Sequence, residues 1–164
     1  MRACKVMDSL DLDAAIELYN ATNEFEKQNT RMACKYYVAV TRVELAVRKR
    51  FGTKDEDKFV HAIGENTEDD ARQAKYKVEG DQADVTFPGD TDPSLKMIRV
   101  NGIWKVDVSS GLQGMSKNEL KKLGDFYQSM EKAAGPIAEK IGKGDYRTTD
   151  EVIAAFKPLV DARP

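Results

Sequence analysis

Ala74-Lys75-Tyr76-Lys77-Val78-Glu79-Gly80-Asp81-Gln82-Ala83-Asp84-Val85-Thr86-Phe87 alternates apolar and charged residues about a Gly-Asp pair. After a Pro88-to-Pro93 loop, Leu95-Lys96-Met97-Ile98-Arg99-Val100-Asn101-Gly102-Ile103-Trp104-Lys105-Val106-Asp107-Val108 does the same about Asn-Gly. Period-two alternation interrupted by a two-residue turn signal is the mark of a β-hairpin, so the stretch predicts two hairpins in succession. A two-residue turn at Gly80-Asp81 sets Val78 opposite Ala83, Tyr76 opposite Val85, Ala74 opposite Phe87 and Lys77 opposite Asp84. One face of the sheet is then apolar and the other ion-paired. Asn101-Gly102 suits a turn in which both central residues have positive φ, and it sets Arg99 opposite Trp104 and Met97 opposite Val106. Leu95, Met97, Trp104, Val106 and Val108 share the face expected to be dry. Arg99 lies on that face beside the indole, in reach of a cation–π contact. Ile98, Val100 and Ile103 leave a small apolar patch on the outer face, through which a homodimer is expected.

Helical periodicity flanks the hairpins. Arg2 to Met7 predicts a short helix, and Asp11 caps a second, whose apolar side is Ala14, Ala15, Leu18 and Tyr19. Asn23 and Glu26 open a long helix running to Phe51, stopped by Gly52. Its stripe includes Phe25, Met32, Tyr36, Val40, Val43, Val47 and Phe51, a width suited to a helix lying across a sheet. A shorter helix is expected over Glu56 to Ile63, then a polar loop over Glu65 to Asp70. Downstream, Ser116 and Glu119 form a capping box before a helix from Lys117 to Ile141, with a kink or break expected at Pro136. Thr148 and Glu151 open a last helix carrying Val152, Phe156 and Leu159. The fold class expected is α+β, a single domain: a helical layer (1–64), a curved antiparallel sheet of about four strands (73–108) and C-terminal helices (116–162).

The chain has 164 residues, 33% charged and 41% hydrophobic, with net charge −2. Such a chain buries enough surface to fold without staples. Lys and Arg are mixed with Asp and Glu rather than gathered in a basic stripe, so nucleic acid is not an expected partner. Arg48-Lys49-Arg50 reads as a solvated helix end complementing the helix dipole. No apolar run approaches a membrane span, and Met1 to Leu10 lacks the apolar core of a signal peptide. A soluble protein is expected, cytoplasmic unless an upstream leader has been removed. Cys4 and Cys34 have no metal-ligand spacing and read as two thiols; a disulfide between them would require an oxidising compartment.

The order of helices, then antiparallel hairpins, together with three short motifs, resembles the NTF2-like superfamily. The motifs are Asp11-Leu12-Asp13-Ala14-Ala15-Ile16-Glu17-Leu18-Tyr19, Gly80-Asp81-Gln82-Ala83-Asp84-Val85, and Gly102-Ile103-Trp104-Lys105-Val106-Asp107. The resemblance spans about Asp8 to Ser109. It implies a bent, cystatin-like sheet wrapped around helices, often enclosing an apolar cavity, in a family of both enzymes and non-catalytic binding domains. The C-terminal helices are an addition that family members usually lack.

Chemistry is sparsely signalled. His61, the only histidine, has the pKa range of a general base but reads first as a surface or core-edge residue. Tyr36 can donate to a carbonyl if it faces a cavity, or pack in the core. Tyr36, Arg99 and Trp104 are the candidate ligand-binding residues, and Tyr36 and His61 the candidate catalytic ones. Asp107 reads as solvated. Nucleophile elbow, P-loop, dinucleotide fingerprint, zinc cluster and calcium loop are all missing from the sequence, so neither metal nor cofactor is implied. The expected function is binding of a small apolar ligand, a peptide or a second copy. The alternatives are an isomerase- or dehydratase-like enzyme acting on a hydrophobic carbonyl compound, or a helical interaction module using Leu120, Leu123, Tyr127 and Met130.

Overall fold

A computed structural model describes residues 10–164. Cys4 and the helix expected over Arg2 to Met7 lie outside them. The described chain is α+β: seven helices and a five-stranded mixed sheet that does not close on itself. In chain order these are α1 (Leu12–Ile16), β1 (Tyr19–Asn20), α2 (Glu24–Phe51), α3 (Thr53–Ala62) and α4 (Glu68–Gln73). The strands β2 (Lys75–Glu79), β3 (Gln82–Thr86), β4 (Leu95–Val100) and β5 (Ile103–Asp107) follow, then α5 (Val108–Leu112), α6 (Lys117–Lys143) and α7 (Thr149–Asp161).

The hairpins hold the register that their turns dictate. Tyr76 pairs with Val85, Lys77 with Asp84 and Val78 with Ala83. Arg99 pairs with Trp104 and Met97 with Val106. Asn101 and Gly102 both have positive φ, 51° and 78°, while at the first turn only Gly80 does, at 62°. The two turns are therefore of the two kinds whose twist matches the strands they join. Ala74 stops short of pairing with Phe87, because β2 begins at Lys75.

A fifth strand joins the four expected. The apolar run after Asp11 stops being helical at Ile16, and Tyr19–Asn20 instead lies parallel to β5, with Tyr19 beside Val106. The Val106 amide donates to the Leu18 carbonyl at 2.8 Å. The strand order is β1-β5-β4-β3-β2. Val78, Ala83, Met97, Val106 and Tyr19 follow one another across this register, so a single apolar row spans the sheet.

The main core is made by helices alone. Tyr36, Val40, Val43 and Val47 of α2 pack with Phe59 of α3, Phe126, Met130 and Ile141 of α6, and Val152 and Phe156 of α7. The long α2 stripe, expected to lie across the sheet, is covered mainly by α6 and α3. The reason is the length of α6: its 27 residues carry an apolar stripe of their own, and two long stripes bury more surface against each other than either buries on short strands. Pro136 does not break the helix, since α6 runs through it to Lys143 and ends on Gly144 in the left-handed conformation. A proline removes one helix hydrogen bond, and Ala134 and Ile141, both fully buried, hold the turns on either side. The Phe59 and Phe156 rings meet at 5.4 Å, and Thr149 donates to Asp55 at 2.6 Å, which fastens α7 to α3. Arg48 grips Glu56 through Nε and Nη2, both at 2.7 Å, and closes the α2–α3 corner.

Candidate functional site

Where the sheet meets the helices, they leave a cleft of about 400 Å³. Its floor is the apolar face of the sheet: Tyr19, Val106 and Leu95. One wall is the start of α2, with Asn29, Thr30 and Ala33; another is α6, with Leu123 and Tyr127. Val108 and Leu112 of α5, with Met115 just beyond, close the third side. The short α5 exists because Asp107 caps it: its carboxylate accepts from the Ser109 amide at 3.2 Å and hydroxyl at 2.8 Å. Asp107 is thereby half-buried at the cleft, a correction to the solvated position that alternation alone suggested.

Several polar side chains around the cleft are already bonded within the protein. The Asn29 amide donates to the Phe25 carbonyl, and Ser110 donates to the Asp107 carbonyl. Burial holds the Tyr19 and Tyr127 phenols above the usual tyrosine value, so both remain neutral donors. Thr30 is 3% exposed, and its hydroxyl is buried with no hydrogen-bond partner among the described residues. The surface on offer to a guest is therefore largely apolar, with exposed Lys96 and the half-buried Asp107 as its charged side chains. A second hollow of about 270 Å³ lies by the charged face, lined by Lys77, Glu79, Asp84 and Lys96, and by Ser109 and Gln113. Within it Lys77 meets Glu79 at 2.8 Å.

The residues singled out by sequence occupy three separate places. Tyr36 is buried in the helical core among Tyr37, Phe126 and Tyr127, at ring distances of 5.2, 5.5 and 5.3 Å. Its hydroxyl donates to Glu65 at 2.9 Å and accepts from Arg163 at 2.7 Å, so it is fully engaged. His61, exposed on α3, sits 3.0 Å from the Asp70 carboxylate. Arg99 stacks over Trp104 at 5.3 Å and bonds Asp81 at 2.8 Å, at the turn end of the hairpins. The indole is half-buried there. Neither Tyr36, His61, Arg99 nor Trp104 lines the cleft. Ile103 of the outer patch is exposed, and Ile98 and Val100 are half-buried. Leu123 and Tyr127 of the α6 strip are half-buried at the cleft, and Met130 is buried in the helical core.

Sequence reasoning missed Thr30, Ala33 and Tyr19 as lining residues. The first two are small and lie on the first turns of α2, where the register against a sheet could not be read. The structure shows no helix long and apolar enough to cross a membrane and no cluster of three metal-ligating side chains, both among the described residues. Cys34 is a buried free thiol, its pKa pushed up to about 12 by burial. The chain matches no protein-family model, no curated protein and no solved structure.

Proposed function

We propose that the chain is a non-catalytic binding domain of the NTF2-like kind, which takes a small, neutral, largely apolar ligand in the cleft between sheet and helices. The observation that carries this reading is the cleft itself. Its 400 Å³ falls within the range of small-molecule sites. Its asparagine, serine and aspartate side chains are bonded to the protein, so a guest meets mainly hydrocarbon and two neutral phenols, with Thr30 on the wall and Lys96 at the rim. A charged ligand would lose hydration there with little to replace it. An enzyme of the kind considered above needs at least two of Tyr36, His61 and Arg99 on one wall, and they stand apart.

The test is titration with an uncharged naphthalene fluorophore, with binding read by emission. Ala33 lies on the cleft wall, so Ala33→Phe fills the cleft from a helical position. The native chain is expected to bind, and the variant to bind at least about tenfold more weakly, a difference near 1.4 kcal/mol. Circular dichroism checks that the variant is folded. Equal binding by both folded chains, or none by the native chain, overturns the reading.

A further inference from the structure

The strand β2 lies at an edge of the sheet with no further strand beside it among the described residues. All five of its residues are exposed. Tyr76 and Val78, 56% and 57% exposed, continue the apolar row that is buried one strand inward at Ala83 and Val85. The two-residue turn fixes which backbone groups are free. Glu79 and Gln82 form the bonded pair that closes the hairpin, so Lys75, Lys77 and Glu79 point their amides and carbonyls at β3. The Arg99 amide donates to the Asp81 carbonyl and the Ser94 amide to the Val85 carbonyl, so odd-numbered residues of β3 face β4. Tyr76 and Val78 therefore aim their N–H and C=O groups outward.

We propose that β2 pairs with β2 of a second copy of this chain, antiparallel and two-fold, across Val78. Charged residues on an edge strand ordinarily block such pairing. Here their order matches a second copy. Residues opposite each other in an antiparallel pair must share a face, so a two-fold register is centred on a residue, and centring on either end, Lys75 or Glu79, sets that charge against itself. Centring on Tyr76 sets Lys75 against Lys77. Centring on Lys77 sets that lysine against itself. Centring on Val78 sets Lys77 against Glu79 twice, with Val78 on Val78 and no like charges opposed. That register also uses the outward backbone groups of Val78 and Tyr76. A five-residue edge gives a small interface, so the dimer is transient and is sought at roughly 0.1–1 mM protein.

Two charge reversals test it by sedimentation velocity on the full chain. K77E alone brings carboxylate against carboxylate at both flanking pairs, and E79K alone brings ammonium against ammonium there, so each variant is expected to be monomeric. An equimolar mixture of the two restores opposite charge at both pairs and is expected to dimerise as the native chain does. Val78→Pro removes an outward amide and leaves the bonds to β3 in place; it is expected to abolish association, with circular dichroism and melting reporting that the monomer is folded. A native chain monomeric across this range, a mixture that stays monomeric, or a folded Val78→Pro chain that still dimerises each overturns the proposal.

Discussion

Thr30 is the residue whose chemistry is least settled by its surroundings. A buried hydroxyl without a partner loses its hydration and regains nothing, a cost of about 1–3 kcal/mol. Thr30→Val removes that oxygen at nearly constant volume, and we expect it to raise stability by about 1 kcal/mol in urea denaturation monitored by circular dichroism. Tyr36 is the opposite case. Its hydroxyl joins Glu65 of the α3–α4 connection to Arg163, and the Arg163 guanidinium also lies over the Tyr36 and Phe126 rings at 5.3 and 5.5 Å. Tyr36→Phe keeps the ring packing and leaves Glu65 and Arg163 joined only to each other, at 3.1 Å, so it is expected to cost about 1 kcal/mol in the same measurement. At this scale a residue is legible in the sequence where it has one local reason to be what it is. Asn101 and Gly102 take positive φ because the turn demands it, and Arg99 meets Trp104 because that turn fixes their register. Asp107 is not legible in this way, because its side is set by the helix it caps rather than by strand alternation.

Capping decides the short elements. Composition predicts a loop over Glu65 to Asp70, yet α4 begins within it. The sequence signal was Thr67 with Asp70 three residues on, a capping box with aspartate in place of the usual glutamate. The helix buries no residue, so hydrophobic periodicity had nothing to report. Hydrogen bonds from Thr67, and then from His61, pull the Asp70 carboxyl down to about 2. A carboxyl lowered on folding stabilises the folded state above its unfolded value of about 4, and this contribution is lost as pH falls through the folded value. Amide exchange at Asp70 and Ala71 is therefore expected to accelerate between about pH 4 and pH 2, after correction for intrinsic rates. Thr67→Val is expected to weaken that dependence, with the Thr67 amide and His61 still bonded to the carboxyl. The same logic made α2 and α6 legible from Asn23 and Ser116, whose side chains accept from the amides of Glu26 and Glu119. The strand β1 had no such signal: its two residues are strand only because β5 is beside them.

For the molecule, the α+β class and both hairpins were legible because their patterns are local. The partner of α2 was not. An apolar stripe states that something covers it, and whether α6 or the sheet does so depends on contacts about ninety residues apart in sequence. The cleft inherits that difficulty, since it forms where the two layers diverge. Burial raises the pKa of Tyr19, Tyr36, Tyr37 and Tyr127 together. A phenol raised on folding adds stability below its unfolded value of about 10, and that stability is lost as pH climbs toward the folded value. The chain is thus expected to lose stability steeply above about pH 10. Tyrosinate absorbance from these four residues is expected to rise together with the loss of helical circular dichroism; a rise well before it would contradict their burial.

The helix-only core has a mechanical corollary. With β2 bare and the largest buried side chains concentrated in the helices, the two hairpins form a region that can open while the helices stay shut. Deuterium should enter the β2 and β3 ladder ahead of mid-α2. The domain is thus an anchored scaffold bearing a flap, and a guest in the cleft or a neighbouring chain at the rim would slow that flap's breathing without stiffening the scaffold behind it.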